Sequence, residues 1–335
     1  MKVLVVGHGL IGAQRTRSLA LQDDVCEVVV IDPNLPSNAP LPRKSRIAVM
    51  GEALKDHYGA AIVSTPHDTA VALLPDIARV SSFILVEKPL GRTTQEALSL
   101  AKAAKSEGAS LFVGLNYRFL RNVRHAKQIL DSGEFGRILA LDGILAHGAE
   151  PGYERSWKTD AARCGGGACL DPGIHLIDLL EWLAGPSKVV SSALSTTYWP
   201  IAVEDHANVC LRIGGGALST LSFSISSWAS RFELSIEMER AQLLLRGRGR
   251  YYGSQRLTLI TKWPWLNQTA PREKTWDYGA DDTSLHDETL AFLSLAAGKT
   301  AETKPASAAE AVQAIRHIDA CYGRLIMDST QGAAK

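Results

Sequence analysis

Two short stretches of the sequence carry side chains suited to acid–base chemistry. One is Glu87-Lys88-Pro89, directly after the apolar run 84–86, and the other places Asp171 four residues before His175. A lysine ammonium stabilises negative charge on an oxygen, and a histidine exchanges protons near neutral pH. Lys88, Asp171 and His175 are therefore the first candidates for catalytic residues.

The local sequence indicates how each candidate is held. Strand ends of a doubly wound sheet meet at one edge, where ligands bind, so Lys88 is predicted to point at a cofactor; the alternative is a solvated lysine. Asp171 suits a helix N-cap and Pro172 the first helical position, which puts Asp171 and His175 on one side. The positive helix end favours a neutral His175, and the charge of Asp171 opposes this. The alternative is a capping aspartate with a buried structural histidine.

The element predicted to hold a cofactor against these groups opens the chain. The apolar run 3–6 predicts a strand buried on both faces, and it leads into Gly7, Gly9 and Gly12. The first glycine permits a tight turn, the second lets a pyrophosphate approach the backbone, and the third lets the next helix pack closely. We predict a dinucleotide site; a glycine turn that binds nothing is the alternative.

A carboxylate indicates which dinucleotide binds. The apolar run 28–31 ends at Asp32, about twenty residues after the last fingerprint glycine, where a ribose-binding acid belongs. Asp32 would accept hydrogen bonds from both ribose hydroxyls of NAD and repel the 2′-phosphate of NADP. NAD is favoured, and NADP stays open because three cations follow, Arg43, Lys44 and Arg46.

The remaining pattern predicts an α/β protein of two domains, 1–117 and 118–335. In the first, strands alternate with helices, which predicts a doubly wound parallel sheet. Its further strands are predicted at 47–50, 60–64, 84–86 and 111–113, the last of the sheet, and its helices at 69–79 and 94–107. In the second, period-two alternation at 206–213, 219–226 and 231–238 predicts an antiparallel sheet with one buried and one polar face. A strand at 137–146, a long loop at 148–167 and helices at 121–131, 174–184, 285–297 and 307–327 complete it.

Composition excludes several classes of protein. The 335 residues include 36 basic and 35 acidic side chains, a net charge of +1, so no field of one sign recruits nucleic acid or an anionic membrane. No apolar run approaches the ~20 residues of a membrane span. The first strand begins at once, so we expect no signal peptide. The five cysteines show no C-x-x-C spacing, which predicts reduced thiols in a cytoplasmic protein, without disulfides or a metal site.

Five motifs in one order resemble a known family over nearly the whole chain. They are the Gly7 to Gly12 fingerprint, Thr65-Pro66-His67, Glu87-Lys88-Pro89, Gly114-Leu115-Asn116-Tyr117-Arg118-Phe119, and Gly165-Gly166-Gly167 followed by Asp171-x-Gly173-x-His175-x-x-Asp178. Together they resemble the glucose–fructose oxidoreductase / inositol dehydrogenase / MocA family. The resemblance implies an N-terminal Rossmann domain and a C-terminal α/β domain with an open antiparallel sheet. It implies hydride transfer between NAD or NADP and a hydroxyl-bearing carbon of a sugar, cyclitol or sugar nucleotide.

The resemblance also implies roles for individual residues. Lys88, Asp171 and His175 form the catalytic group: His175 as the base, Lys88 as the cation, and Asp171 orienting the other two. The residues expected to bind the cofactor are Gly7, Gly9, Leu10, Ile11, Gly12, Asp32, Thr65, Pro66, His67, Glu87, Lys88 and Asn116. Those expected to bind substrate are Tyr117, Arg118, Tyr153, Trp157, Arg163, Asp171 and His175.

Substrate class is less well defined by the sequence. The loop 148–167 carries aromatic and basic side chains able to stack on sugars and bind hydroxyls, namely Tyr153, Arg155, Trp157, Lys158 and Arg163. Its acids balance the charge, so an anionic substrate is not implied. The segment 262–265 is expected either to wall the pocket or to form a subunit contact.

Two other functions stay open, and one assembly is expected. A glycosidase that uses bound NAD transiently is the first alternative, and a non-catalytic dinucleotide sensor is the second; retention of the three candidate catalytic residues argues against the sensor. Family members commonly associate through the sheet, so we expect a homodimer or homotetramer with two-fold symmetry. Its predicted interface is the flat polar face that carries Thr220, Ser222, Ser224 and Ser226. The alternative is that this face is solvated.

Overall fold

The computed structural model describes residues 1–261 and 272–324. Its first strands are β1 (Lys2–Val6), β2 (Glu27–Ile31), β3 (Ser45–Ile47), β4 (Ala60–Val63), β5 (Phe83–Glu87) and β6 (Ser110–Gly114). The helices among them are α1 (Leu10–Ala20), α2 (Met50–Ala53), α3 (His67–Val80) and α4 (Thr94–Ser106). These six strands pair with one another in parallel, which confirms the predicted doubly wound sheet.

Burial explains why the short apolar runs become central strands. In β1, Leu4 and Val6 pack into one hydrophobic core, while Val3 and Val5 pack into a second. Successive side chains of a strand point to opposite faces, and helices cover both faces of this sheet. An uninterrupted apolar run is therefore needed at this place in the chain.

One predicted strand is wrong. The run 47–50 does not continue as a strand, because β3 ends at Ile47 and α2 begins at Met50. Val49, which precedes α2, leaves 63% of its surface exposed. Apolar residues without a face to bury against do not extend a strand.

The second half contains further helices and a second sheet. Its helices are α5 (Arg121–Asp131), α6 (Ala161–Cys164), α7 (Gly173–Ala184), α8 (Ser284–Ala296) and α9 (Ala308–Cys321). Its strands are β7 (Ile138–Gly148), β8 (Ser187–Ser195), β9 (His206–Ile213), β10 (Leu218–Ser224), β11 (Ser226–Met238), β12 (Ala241–Arg246), β13 (Arg256–Thr261), β14 (Arg272–Asp277) and β15 (Ala306–Ser307). The predicted helix 307–327 corresponds to α9, and its predicted end lies outside the described residues.

The second sheet is open and mainly antiparallel, as predicted. Its order is β14-β13-β12-β11-β7-β10-β9-β8, and the exception is the central pair β7 and β10, which is parallel. Leu221, Phe223 and Leu234 face the core, where α7 packs. The opposite face carries Thr220 and Ser222 and has no layer over it in the described chain.

The chain returns to the first sheet near its end, which the sequence analysis did not predict. β15 pairs antiparallel with β6, so the strand 111–113 is not the last of that sheet. In addition, α9 packs on α4, and the Thr94 N–H donates to Asp319 Oδ2 at 2.7 Å. Segments far apart in sequence thus complete the N-terminal sheet and its helix layer.

Candidate active site

The turn between β1 and α1 has the shape expected of a dinucleotide-binding turn. Gly7 has a φ of +88°, and a Cβ there would lie 2.4 Å from the Ser64 carbonyl oxygen. A Cβ on Gly12 would lie 2.0 Å from the Gly7 oxygen, whereas one on Gly9 would meet nothing within 4 Å. The fold therefore requires Gly7 and Gly12. Gly9 leaves open space before the first N–H groups of α1, where Leu10 is 75% exposed.

Asp32 is fixed at the end of β2, beside this turn. Its Oδ2 accepts the backbone N–H of His8 at 2.7 Å, and its Oδ1 accepts that of Asn34 at 2.8 Å. Two of the downstream cations are engaged elsewhere: Arg46 with Glu27 at 2.6 Å, and Lys44 with a backbone carbonyl. Held in this way, the carboxylate suits a ribose diol.

Several buried polar atoms at this sheet edge have no hydrogen-bond partner. Within residues 1–261 and 272–324 these atoms include His8 Nε2, Ser64 Oγ and Thr65 Oγ1. Ser64 and Thr65 follow β4, in contact with Gly7. Buried polar groups are normally paired, so orphaned atoms along one edge fit a polar ligand such as a dinucleotide.

Next along the edge, Lys88 follows β5 and forms an ion pair with Asp171. Lys88 Nζ donates to Asp171 Oδ1 at 2.5 Å and to the Asp171 backbone oxygen at 2.8 Å. The other carboxylate oxygen, Oδ2, accepts from Lys158 Nζ at 2.8 Å. Burial raises the pKa of Asp171, but the charges of Lys158 and Lys88 outweigh it and hold that pKa well below its usual range. The aspartate is therefore ionised between two lysines.

The imidazole of His175 is held by stacking. Its ring lies 3.9 Å from the ring of Tyr117, with an interplanar angle of 7°, and the Arg248 guanidinium lies 5.1 Å from the Tyr117 ring centroid. Burial, followed by the charges of Lys88 and Arg248, holds the pKa of His175 well below its ordinary value. His175 is therefore neutral at physiological pH, as the sequence analysis expected.

No hydrogen bond joins Asp171 to His175, although the two were expected to lie on one side of a helix. α7 begins at Gly173 with Pro172 as its N-cap, so Asp171 lies before the helix and does not cap it. Both of its carboxylate oxygens bind lysines, and His175 Nδ1 is buried without a partner. Asp171 thus positions lysine rather than histidine.

Three predicted site residues use their side chains elsewhere. The Glu87 carboxylate accepts from the buried Arg15, and the Asn116 amide donates to Ser284 Oγ at 2.7 Å. The Arg118 guanidinium binds Asp178. Arg118 is buried and all three of its guanidinium nitrogens donate to carboxylates, so we correct the expectation that it contacts substrate. The roles of Glu87 and Asn116 toward the cofactor stay predictions.

The loop 148–167 forms one wall of the cleft and is more ordered than predicted. It contains the short helices Tyr153–Arg155 and Trp157–Thr159, followed by α6. Trp157 meets the edge of the His67 ring at 4.8 Å, and the His67 Nδ1 lies 2.8 Å from the Cys164 oxygen. Burial lowers the pKa of His67 to about 4. Pro66 is the N-cap of α3 and leads His67 into this contact.

Of the other two predicted residues of that loop, one lies near the site and one pairs with α3. Tyr153 packs on Trp199, with ring centroids 5.7 Å apart. Burial raises the pKa of Tyr153 and the charge of Asp171 raises it further, which places Tyr153 near Asp171. Arg163 instead pairs with Asp68 at 3.2 Å and is 42% exposed. The role of Arg163 in substrate binding stays a prediction.

Sequence reasoning missed two cations of the site. Lys158 is among the loop side chains expected to bind substrate hydroxyls, but its contact with Asp171 was not predicted. Arg248 follows β12 and reaches Tyr117 and Tyr252. No local motif marks Arg248, because its place depends on how the second sheet packs. No cluster of three or more metal-binding side chains occurs in the part of the chain that the structure describes.

Two family models match the chain. Residues 1–115 match the model described as an oxidoreductase family with an NAD-binding Rossmann fold, and residues 123–244 match the GFO/IDH/MocA C-terminal domain. In residues 1–261 and 272–324, no helix has the length and apolar character needed to cross a membrane.

Individual relatives match over parts of their length. Levoglucosan dehydrogenase of Pseudarthrobacter phenanthrenivorans is 32% identical over 136 residues, 40% of this chain and 35% of the relative. Inositol 2-dehydrogenase 2 of Saccharopolyspora erythraea is 27% identical over 205 residues, 58% of this chain and 56% of the relative. A structure of levoglucosan dehydrogenase in complex with NADH and levoglucosan has the same fold, with a TM-score of 0.82, 20% identity, and 97% of this chain and 96% of that chain covered.

Proposed function

The chain belongs to the GFO/IDH/MocA oxidoreductase family, and from that premise we propose that it transfers a hydride between NAD and a hydroxyl-bearing carbon of a sugar, cyclitol or sugar nucleotide. The observation that carries this proposal is the Lys88–Asp171 ion pair beside a neutral His175. β5 lies two strands from β1, which puts Lys88 roughly 10 Å along the sheet edge from the glycine turn. That separation suits a dinucleotide that extends from the turn to the catalytic group.

The residues present fit NAD. The N–H groups at the start of α1 suit the pyrophosphate, Asp32 suits the ribose, and Ser64 and Thr65 offer orphaned hydroxyls. Bound NAD supplies the two-electron acceptor or donor. The chain itself has to orient the substrate, exchange its hydroxyl proton and exclude water.

The catalytic group can perform these tasks. Lys88 and the neutral His175 are the two groups that can exchange a proton with the hydroxyl or stabilise negative charge on its oxygen. Tyr117 holds the imidazole by stacking. Tyr153 and Trp157 present aromatic surface from the loop, which favours the apolar face of a sugar or cyclitol.

The test of this proposal is a screen of sugars, inositols and sugar nucleotides for NADH absorbance. We expect at least one class to reduce NAD with saturation kinetics. Cleavage of glycosides without net NADH would support the glycosidase alternative. Tight NAD binding without turnover of any compound would support the sensor and contradict the proposal.

We predict that the dissociation constant of NAD is lower than that of NADP by about tenfold or more. NADP cannot form the hydrogen bonds between both ribose hydroxyls and Asp32, and its 2′-phosphate is repelled by that carboxylate. Hydrogen bonds to charged groups contribute about 1.5–3 kcal/mol. Dissociation constants of wild type, Asp32→Ser and an exposed control, Asp23→Ser, provide the measurement. The preference should shrink only in Asp32→Ser. A wild type that prefers NADP would remove the role given to Asp32.

We further propose a homodimer through the polar face of the second sheet. Ser224 is buried against Ser226, so the exposed Thr220 and the half-buried Ser222 are the better probes. Light scattering of the wild type should give a mass twice the 36.1 kDa of one chain. The double variant Thr220→Arg with Ser222→Arg should have the mass of a single chain. The paired control Ser99→Arg with Ser106→Arg lies on α4 and should leave the mass unchanged. A monomeric wild type refutes the dimer.

The cytoplasmic location stays a prediction, based on the cysteines.

A further inference from the structure

The contact between Lys158 and Asp171 gives the cleft a second lysine. Each oxygen of the Asp171 carboxylate binds one ammonium group, Oδ1 that of Lys88 and Oδ2 that of Lys158. Lys88 comes from the end of β5, whereas Lys158 comes from the loop after β7. We call these three residues the lysine cluster.

With both lysines protonated, the lysine cluster has a net charge of +1 in a largely buried site. Two ammonium groups face one carboxylate, and the side chains of Lys88 and Asp171 are only 18% and 15% exposed. Lys158 is 38% exposed and therefore keeps part of its hydration. Like charges at short range disfavour double protonation, and the more enclosed amine releases its proton more easily.

The two lysines respond in opposite directions. Burial lowers the pKa of Lys88 against the attraction of Asp171, and the charge of Lys158 lowers it further. The charge of Asp171 raises the pKa of Lys158, against burial. Lys158 is thus the permanent cation of the cluster, and Lys88 is the member that can change its charge.

The other titratable groups near the lysine cluster do not change this conclusion. Glu87, His67 and His175 lie near Lys88 itself. His147 and Tyr153 lie near Asp171, and Arg248 lies near His175. Glu87 is bound to Arg15, and burial lowers the pKa of each of the three histidines. None of these groups binds Asp171 in place of Lys158.

We propose that Lys158 is a positioning residue that holds the charge of Asp171 and thereby lets Lys88 work as the proton-exchanging amine of the site. The proposal rests on the proposed dehydrogenase function. In the oxidation, the hydroxyl O–H bond breaks, its proton goes to the Nζ lone pair of Lys88, and the O–H electron pair becomes the second C=O bond. The two electrons of the carbon–hydrogen bond leave to NAD, and the reduction reverses each movement.

A titration of Lys88 tests the proposal without any substrate. Reductive methylation with ¹³C retains the lysine charge, and the Lys88 resonance is identified by its loss in Lys88→Arg. We expect its NMR titration midpoint to rise by about one pH unit in Lys158→Met. In Lys158→Arg, which keeps a cation, and in the exposed control Lys102→Met, the midpoint should stay at the wild-type value. An unchanged midpoint in Lys158→Met overturns the proposal.

The pH profile of turnover separates this role from a structural one. With a substrate from the screen, the ascending limb of kcat/KM in the oxidation should move to higher pH in Lys158→Met and return in Lys158→Arg. A lysine that only supports the loop would lower kcat/KM by the same factor at every pH, which would contradict the proposal. If no compound is oxidised, the proposed function fails, while the titration of Lys88 still decides the role of Lys158.

Discussion

Alanine at Lys88 or at His175 is expected to lower turnover by about 100-fold or more, the usual loss when a general base or an electrostatic stabiliser is removed. Lys88→Ala also leaves Asp171 with one cation instead of two. His175→Ala removes the ring that stacks on Tyr117. Because we propose that His175 acts on the substrate, the affinity of this variant for NAD should change little. Steady-state kinetics and NAD titration provide both measurements.

Matched controls make this expectation specific. Lys55 and His57 are exposed residues of the same two types, and their alanine variants should keep wild-type turnover. Near wild-type turnover in both Lys88→Ala and His175→Ala, on a verified substrate, would show that the catalytic assignment is wrong. A loss confined to NAD affinity would instead place the affected residue in the cofactor site.

The second large effect concerns stability. Arg118 and Asp178 are 4% and 3% exposed and form two hydrogen bonds, so Arg118→Met would leave a buried carboxylate without its cation. Breaking such a pair costs about 3–5 kcal/mol. We expect urea unfolding of Arg118→Met to show a loss of this size. The exposed pair of Arg137 with Glu239 is the control, and its loss in Arg137→Met should not exceed about 1 kcal/mol.

A double variant distinguishes the two roles that Arg118 could have. Arg118→Met with Asp178→Leu removes both charges, so part of the lost stability should return. The alternative outcome is native stability in Arg118→Met together with weaker substrate binding. That result would restore the earlier prediction that Arg118 contacts substrate and would contradict the role drawn from its ion pair.

The N-terminal sheet could be predicted because its signals are local. The apolar strand at 3–6, the three glycines and Asp32 lie within about thirty residues, and each acts through its own backbone or nearest neighbours. The predicted strand 47–50 failed because sequence shows that residues are apolar but not whether a surface exists to cover them. β8 was missed because its side chains alternate only between partial burial and exposure.

The site was only partly predictable for a related reason. A motif shows which residue types occur together, but not which partner each side chain takes. Asp171 was expected to cap a helix and face His175, yet the loop brings Lys158 to the second oxygen of its carboxylate. Arg118 lies next to Tyr117 in the sequence, and the two side chains diverge toward Asp178 and His175. These outcomes depend on tertiary packing, which residue spacing does not encode.

The pairing of β15 with β6 has a consequence for the order in which the protein folds during synthesis. β6 ends at Gly114, and the strand that covers its edge begins at Ala306. At 5–20 residues per second, the ribosome needs roughly 10–40 s to make the intervening chain. Throughout that interval the nascent first sheet presents an uncovered strand edge, the kind of surface that pairs with other chains. The protein should therefore depend on chaperones during translation more than its finished form suggests.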